Sequence, residues 1–300
     1  MRLGRRPNEK ERFVGGIEFP RRTLPVYRRE STYPDPDDLR ALYASGELGL
    51  MGEVTAQYAG LAPTAQDLAP YFALAAEMGV PVSFHTGFGP QMSAQRGDAD
   101  FRMRLGNPLL LEDVLVRHPD LHLYIAHGGY PYLDDTVALM MQYSQVYVDI
   151  SAIDWLLTRD EFHRYLRRLV DARLGARIPF GTDQMIWPDT VARAIEAVES
   201  AAFLSEHQKH AIFFRNAAEF FDLDADHLLG GPGLAGPGGT VVRATRTPLV
   251  LRPREPGARG SVTVGVESCM KSWCAMSRTL LRMFCAHRKS STALPLTQIG

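Results

Sequence analysis

The chain has 300 residues, 45% of them hydrophobic and 22% charged, enough for one large or two ordinary domains around a buried core. Its 33 Lys+Arg against 34 Asp+Glu give a formal net charge of -1, which excludes a dedicated nucleic-acid binder with its basic excess. The near-zero figure joins two unlike parts: residues 227–300 hold 10 Lys+Arg against 2 Asp+Glu, and residues 1–226 hold 23 against 32. All three cysteines (Cys269, Cys274, Cys285) lie in the basic part, so a metal in the acidic part must be held by His, Asp or Glu. No apolar run approaches the roughly 18 residues of a spanning helix. The Arg-rich start MRLGRRPNEKERF has no apolar signal core, so the expectation is a soluble, cytoplasmic protein with no membrane partner.

Six short apolar runs are expected as strands: Arg12–Phe19, Leu48–Thr55, Val80–His85, Leu121–His127, Gln145–Ser151 and Arg177–Asp183. Several are nearly continuous in apolar residues, as happens when helices cover both faces of a parallel sheet. Between and after them, helical patterns run over Pro36–Ser45, Ala65–Met78, Pro108–Arg117, Leu133–Tyr143, Asp160–Ala172, Thr190–Ser200 and Ser205–Phe221, the last opening on a Ser cap. Strand–helix alternation predicts a parallel α/β fold, and strand spacings of roughly 25–40 residues suit a large barrel. Such a barrel needs eight strands, and only six are found. Past Leu223 the pattern ends in GGPGLAGPGG; the G-x-G-x-x-G string at Gly231–Gly236 follows a helix and carries Pro, so it is not a dinucleotide loop. The expected division is an N-terminal extension (1–11), an incomplete barrel domain (12–223) and an unstructured Gly/Pro/Arg-rich tail (224–300) of the kind a shifted reading frame yields.

Polar residues close four of the strands: Glu53 in GLMGEV, His85 in VPVSFHTG, His127 in LHLYIAHGG and Asp183 in RIPFGTDQ. A parallel barrel gathers strand C-termini at one mouth, where imidazoles and carboxylates suit zinc or another divalent metal such as manganese or iron. A metal there lowers the pKa of a water or polarises a substrate oxygen, and an uncoordinated His beside it shuttles protons. Glu53 stays open between ligand, substrate contact and structural partner. Asp149 and Ser151, ending VYVDIS, are read as structural hydrogen-bonding residues near the mouth. His118 and His122 read as loop residues, His163 as part of a charged helix face, and the His207/His210 pair as no metal motif. Asp134–Asp135 read as acids favoured by a helix N-terminus. No G-x-S-x-G elbow or P-loop occurs, which disfavours serine and phosphate chemistry.

The string HTG at His85, HGGYPYLDD from His127, VYVDIS, FGTDQ and NAAEFF from Asn216 resemble the amidohydrolase-related (amidohydrolase 2) family over about residues 12–223. That family joins metal-dependent hydrolases to decarboxylases similar to the aminocarboxymuconate semialdehyde enzymes. The resemblance implies a TIM (β/α)8-type barrel in which His85 and Asp183 hold the metal and His127 is catalytic with help from Glu53. Tyr130 and Trp187 are the expected pocket walls. The family's His-x-His on strand 1 has no counterpart before His85, so RFVGGIEF resembles strand 3, and strands 1 and 2 are expected to be missing. The resulting expectation is a hydrolase acting on a small-molecule substrate, its activity impaired by the missing strand, with exposed sheet edges that favour a homo-oligomer. The alternatives are a non-oxidative decarboxylase (a carbon–carbon lyase) and an inactive barrel fragment that only binds ligand or partner.

Overall fold

A computed structural model of the chain describes residues 14–20, 33–184 and 186–223. The expected extension 1–11 and tail 224–300 lie outside the described residues.

The first strand, β1 (Gly16–Phe19), is followed by helix α1 (Pro36–Ala44), whose start is set by Asp35: its carboxylate accepts from the Asp37 and Asp38 amides, and Pro36 fills the first helical position. Strand β2 (Leu50–Val54) leads through short 3₁₀ turns to α2 (Ala69–Met78), which Gly79 ends in the left-handed region. Next come β3 (Val82–Phe84), α3 (Glu112–Arg117), β4 (Leu123–Ile125), α4 (Leu133–Gln142) and β5 (Val146–Val148). The described strands form one sheet in the order β1-β2-β3-β4-β5, every neighbour parallel. Consecutive order with a crossover at each step is the pattern of a β/α barrel wall, and it sends every strand C-terminus to one end.

β3 is buried throughout, and Phe84, Leu123, Ile125, Val146 and Val148 are at most 1% exposed. Helices α5 (Ile153–Leu156), α6 (Arg159–Asp171) and α7 (Asp189–Glu199) follow β5. α6 turns Phe162, Tyr165, Leu166 and Leu169 inward, a 3–4-residue spacing that puts its four Arg residues on the other faces. His163 on that helix ties α6 to α7 through a 2.9 Å contact between its Nε2 and the Ala197 carbonyl.

Two expectations are corrected. Arg177–Asp183 is not a sixth strand: its polar backbone is taken up elsewhere. Pro179 has no N–H, the Phe180 amide donates to the Ile212 carbonyl (2.8 Å), the Trp155 indole donates to the Thr182 carbonyl (2.8 Å), and the Asn216 amide donates to the Gly175 and Ile178 carbonyls (2.9 and 2.8 Å). The final helical stretch is not continuous either. It opens as α8 (Glu206–His210) with the expected Ser205 cap, here a full capping box with Gln208, widens to a π-turn over Ala211–Arg215 and resumes as α9 (Asn216–Phe220). That widening places Ile212 and Asn216 against the Gly175–Phe180 segment.

Candidate metal centre

Glu53 lies inside β2, His85 directly follows β3, and His127 stands two residues past β4. Adjacent parallel strands therefore deliver all three to one end of the sheet. Glu53 follows Gly52, whose φ of +131° is open to glycine; a Cβ there would lie 2.4 Å from the Ser83 carbonyl oxygen. His127 itself sits at φ +59°, ψ +31°, in the left-handed region that a non-glycine residue seldom adopts. The turn is held by Asp149 at the end of β5: the His127 amide donates to its Oδ1 (2.9 Å) and the Gly128 amide to its carbonyl (2.7 Å). A Cβ at Gly128 would meet Ile153 at 2.7 Å, so this turn packs tightly under α5.

The three side chains converge on one point. Glu53 Oε1 lies 2.7 Å from His85 Nδ1 and 3.1 Å from His127 Nε2, and the two imidazole nitrogens are 3.1 Å apart. Both histidines are buried, and the glutamate side chain is 19% exposed. Burial alone would raise the Glu53 carboxyl, but the His127 charge and the hydrogen bonds from both histidines hold it below the usual range. Burial would lower the His127 imidazole, yet Glu53, with Asp183 and Asp149 behind it, pushes it up to about 10.

Asp183 acts on His127 through its charge but is not one of the three grouped donors. Its φ of +51° places it in the same strained region as His127. Tyr130 is half-buried: its hydroxyl donates to Glu161 Oε1 (3.3 Å) and its ring stands edge-on to Phe88. Trp187 is 58% exposed and leans on Trp155, with ring centroids 6.4 Å apart. The structure thus gathers Glu53, His85 and His127, lets Asp183 act on His127 through its charge, and leaves Tyr130 and Trp187 outside the group.

Three further neighbours stand out. Tyr58 packs against His85 at 4.8 Å between centroids and against Phe101 at 5.0 Å, a wall built by turns after β2 and β3 that carry no sequence signal. Ser151 joins Asp149 to His127 by side-chain hydrogen bonds; its place at a strand end was visible in the sequence, its partner was not. Asp154, on α5, is 2% exposed and no donor reaches either carboxylate oxygen in hydrogen-bonding geometry. Burial, then the Asp149 and Asp183 charges, raise its pKa well above the usual range despite the nearby amides of residues 154 and 155.

The residues fit a divalent cation. Two imidazoles and one carboxylate are a set used by catalytic zinc sites. Bonds of 2.0–2.1 Å in a tetrahedron separate ligand atoms by roughly 3.3 Å, so donors now 2.7–3.1 Å apart need spread only slightly. Among the described residues, this is the one group of three such donors close enough to share an ion.

The model of the Amidohydrolase family matches residues 30–223, and the chain belongs to that family. It is 23% identical over 159 residues to Protein fluG of Emericella nidulans, a stretch covering 48% of this chain but only 18% of that relative. Among solved structures, an uncharacterized TIM-barrel protein of Bordetella bronchiseptica is 19% identical with a TM-score of 0.48, covering 70% of this chain and 66% of that one. The 5-carboxyvanillate decarboxylase of Sphingomonas paucimobilis is 14% identical with a TM-score of 0.45, covering 63% of each chain. This chain therefore spans less than two thirds of the length of each of these relatives.

Among the described residues, no helix is long and apolar enough to cross a membrane.

Proposed function

We propose that the protein is a metal-dependent hydrolase of a small-molecule substrate. The observation that carries this reading is the triangle of Glu53 Oε1, His85 Nδ1 and His127 Nε2, all within 3.1 Å of one another at the C-terminal end of a parallel sheet. These three residues would hold the ion, and zinc, manganese or iron suits the donor set. Bound there, a divalent cation supplies a water of lowered pKa and polarises a substrate oxygen.

The chain's own residues do the rest. Asp183, whose charge acts on His127 from outside the triangle, would be the carboxylate that takes up a proton at one of its oxygens. His127 turns Nε2 to Glu53 along a 3.1 Å contact and would hold the ion through that nitrogen. Tyr58 and Phe101 wall the His85 side and keep bulk water from it. The non-oxidative decarboxylase alternative would use the same centre and differs in releasing carbon dioxide.

The test is elemental analysis of purified protein with turnover on a panel of esters, lactones and aromatic carboxylic acids. We expect about one divalent ion per chain, its loss in His85→Ala, and hydrolysis that stops when a chelator removes the ion and returns when zinc or manganese is added. Absence of bound metal from the wild-type protein after growth and dialysis in zinc and manganese overturns the reading, and carbon dioxide release without hydrolysis replaces it with the decarboxylase.

A further inference from the structure

Behind the triangle lies a buried hydrogen-bond chain that fixes how the His127 ring is presented. Asp149 Oδ1 receives three groups: the His127 amide at 2.9 Å, the Ser151 amide at 3.0 Å and Ser151 Oγ at 2.7 Å. Two of the three are backbone N–H groups, which can only donate, so this oxygen is an acceptor. The Ser151 hydroxyl therefore spends its single proton on Asp149. Its remaining lone pairs face His127 Nδ1 at 2.9 Å, and a lone pair at that distance requires a proton on the nitrogen. Nδ1 is thus the protonated nitrogen, and Nε2 is the one turned to Glu53 and His85.

The surroundings make this assignment firm. Asp149, Ser151 and His127 are all at most 6% exposed, so water does not compete for these positions. Both ends of the link are fixed by backbone: Asp149 grips the amides of residues 127 and 151 with the same oxygen that orients the hydroxyl. A ring flip would set Cδ2 against Ser151 and Cε1 against Glu53, and so break both links.

We propose that Ser151, oriented by Asp149, is a positioning residue that holds the proton of His127 on Nδ1 and reserves Nε2 for the centre. The use of Nε2 rests on the metal-centre reading above, whereas the place of the proton does not. A second residue holding the far nitrogen of a ligating histidine is commonly worth 10–100-fold in metal affinity.

The experiment uses the full-length protein with ¹⁵N-labelled histidine, first free of ions and then with zinc alone. The His127 ring signals are assigned by their loss in His127→Gln. The expected result is a directly bonded proton on Nδ1, slow to exchange, in both forms, with zinc shifting Nε2. In Ser151→Ala the Nδ1 proton exchanges rapidly and zinc affinity falls about 10–100-fold, while Ser151→Thr, which keeps the hydroxyl, stays within a few-fold of wild type. A His127 ring in the wild-type protein that carries its proton on Nε2 alone, with Nδ1 bare, overturns the proposal without any variant. So does Ser151→Ala with an unchanged Nδ1 signal. A protein that ignores zinc but keeps the slow Nδ1 proton upholds the role of Ser151 and defeats the metal-centre reading instead.

Discussion

Glu53 and His127 make opposite demands on pH. Glu53 is depressed in the fold, so its contribution is present above its ordinary value of 4.5 and is lost as pH falls. His127 is raised from 6.5 to about 10, so its contribution is full below 6.5 and is lost as pH climbs through 10. Both are present together between about pH 5 and 6.5. Ion-free protein should therefore unfold at progressively lower urea as pH rises from 6.5 toward 10. Zinc binding should run the other way, because His127 must shed its Nε2 proton: chelator competition should show affinity rising up to about tenfold per pH unit over the same range. A flat affinity profile would remove His127 from the ligand set. At this scale the sequence was informative where position alone decides. Glu53, His85 and His127 could be picked out because each ends an apolar run. Ser151 could not be assigned its partner, since a hydroxyl in a strand end looks the same whether it faces a ring or a carbonyl.

At the scale of elements, β2 depends on Gly52. Its φ of +131° and the Ser83 carbonyl, 2.4 Å from any Cβ, admit no side chain without moving backbone. Gly52→Ala should cost about 2–4 kcal/mol in urea denaturation and should also strip the ion, because Glu53 moves with it. Gly46→Ala is the control: its φ of +72° is also left-handed, but nothing lies within 4 Å of an added Cβ, so the loss should be about 1 kcal/mol with the ion retained. Five strands were legible from apolar runs, although each is shorter than the run that betrayed it. The sixth was misread for a physical reason. RIPFGTD has strand-like residues, but strand identity belongs to the ladder partner, and here Ile212, Asn216 and Trp155 claim the backbone groups first. The π-turn that positions Ile212 and Asn216 leaves no mark on the helical pattern of Ser205–Phe221.

Across the whole molecule, the segment carrying Asp183 is fastened at both ends of the fold. Arg177 donates to the Met140 and Val146 carbonyls (2.7 and 2.8 Å), tying it to α4 and β5, while Asn216 ties it to α9. Asn216 is 1% exposed, so Asn216→Ala leaves the buried Ile178 carbonyl and the part-buried Gly175 carbonyl without their donor and should cost about 2–3 kcal/mol in thermal unfolding. With the triangle untouched, the variant should keep its full ion content and lose turnover, because only Asp183 is released. A variant that lost the ion and activity together would place Asp183 among the ligands. The parallel α/β class was legible from strand–helix alternation, as was the acidic character of residues 1–226.

The consecutive order of β2, β3 and β4 also has a consequence for assembly. The three grouped donors come from successive β/α units, each one crossover from the next, so a growing chain gathers them as soon as three neighbouring units have zipped together. Asp183 arrives afterwards, because its segment waits for helices encoded still later. If the proposed centre holds an ion, the order of synthesis would complete its three donors before Asp183 is in place.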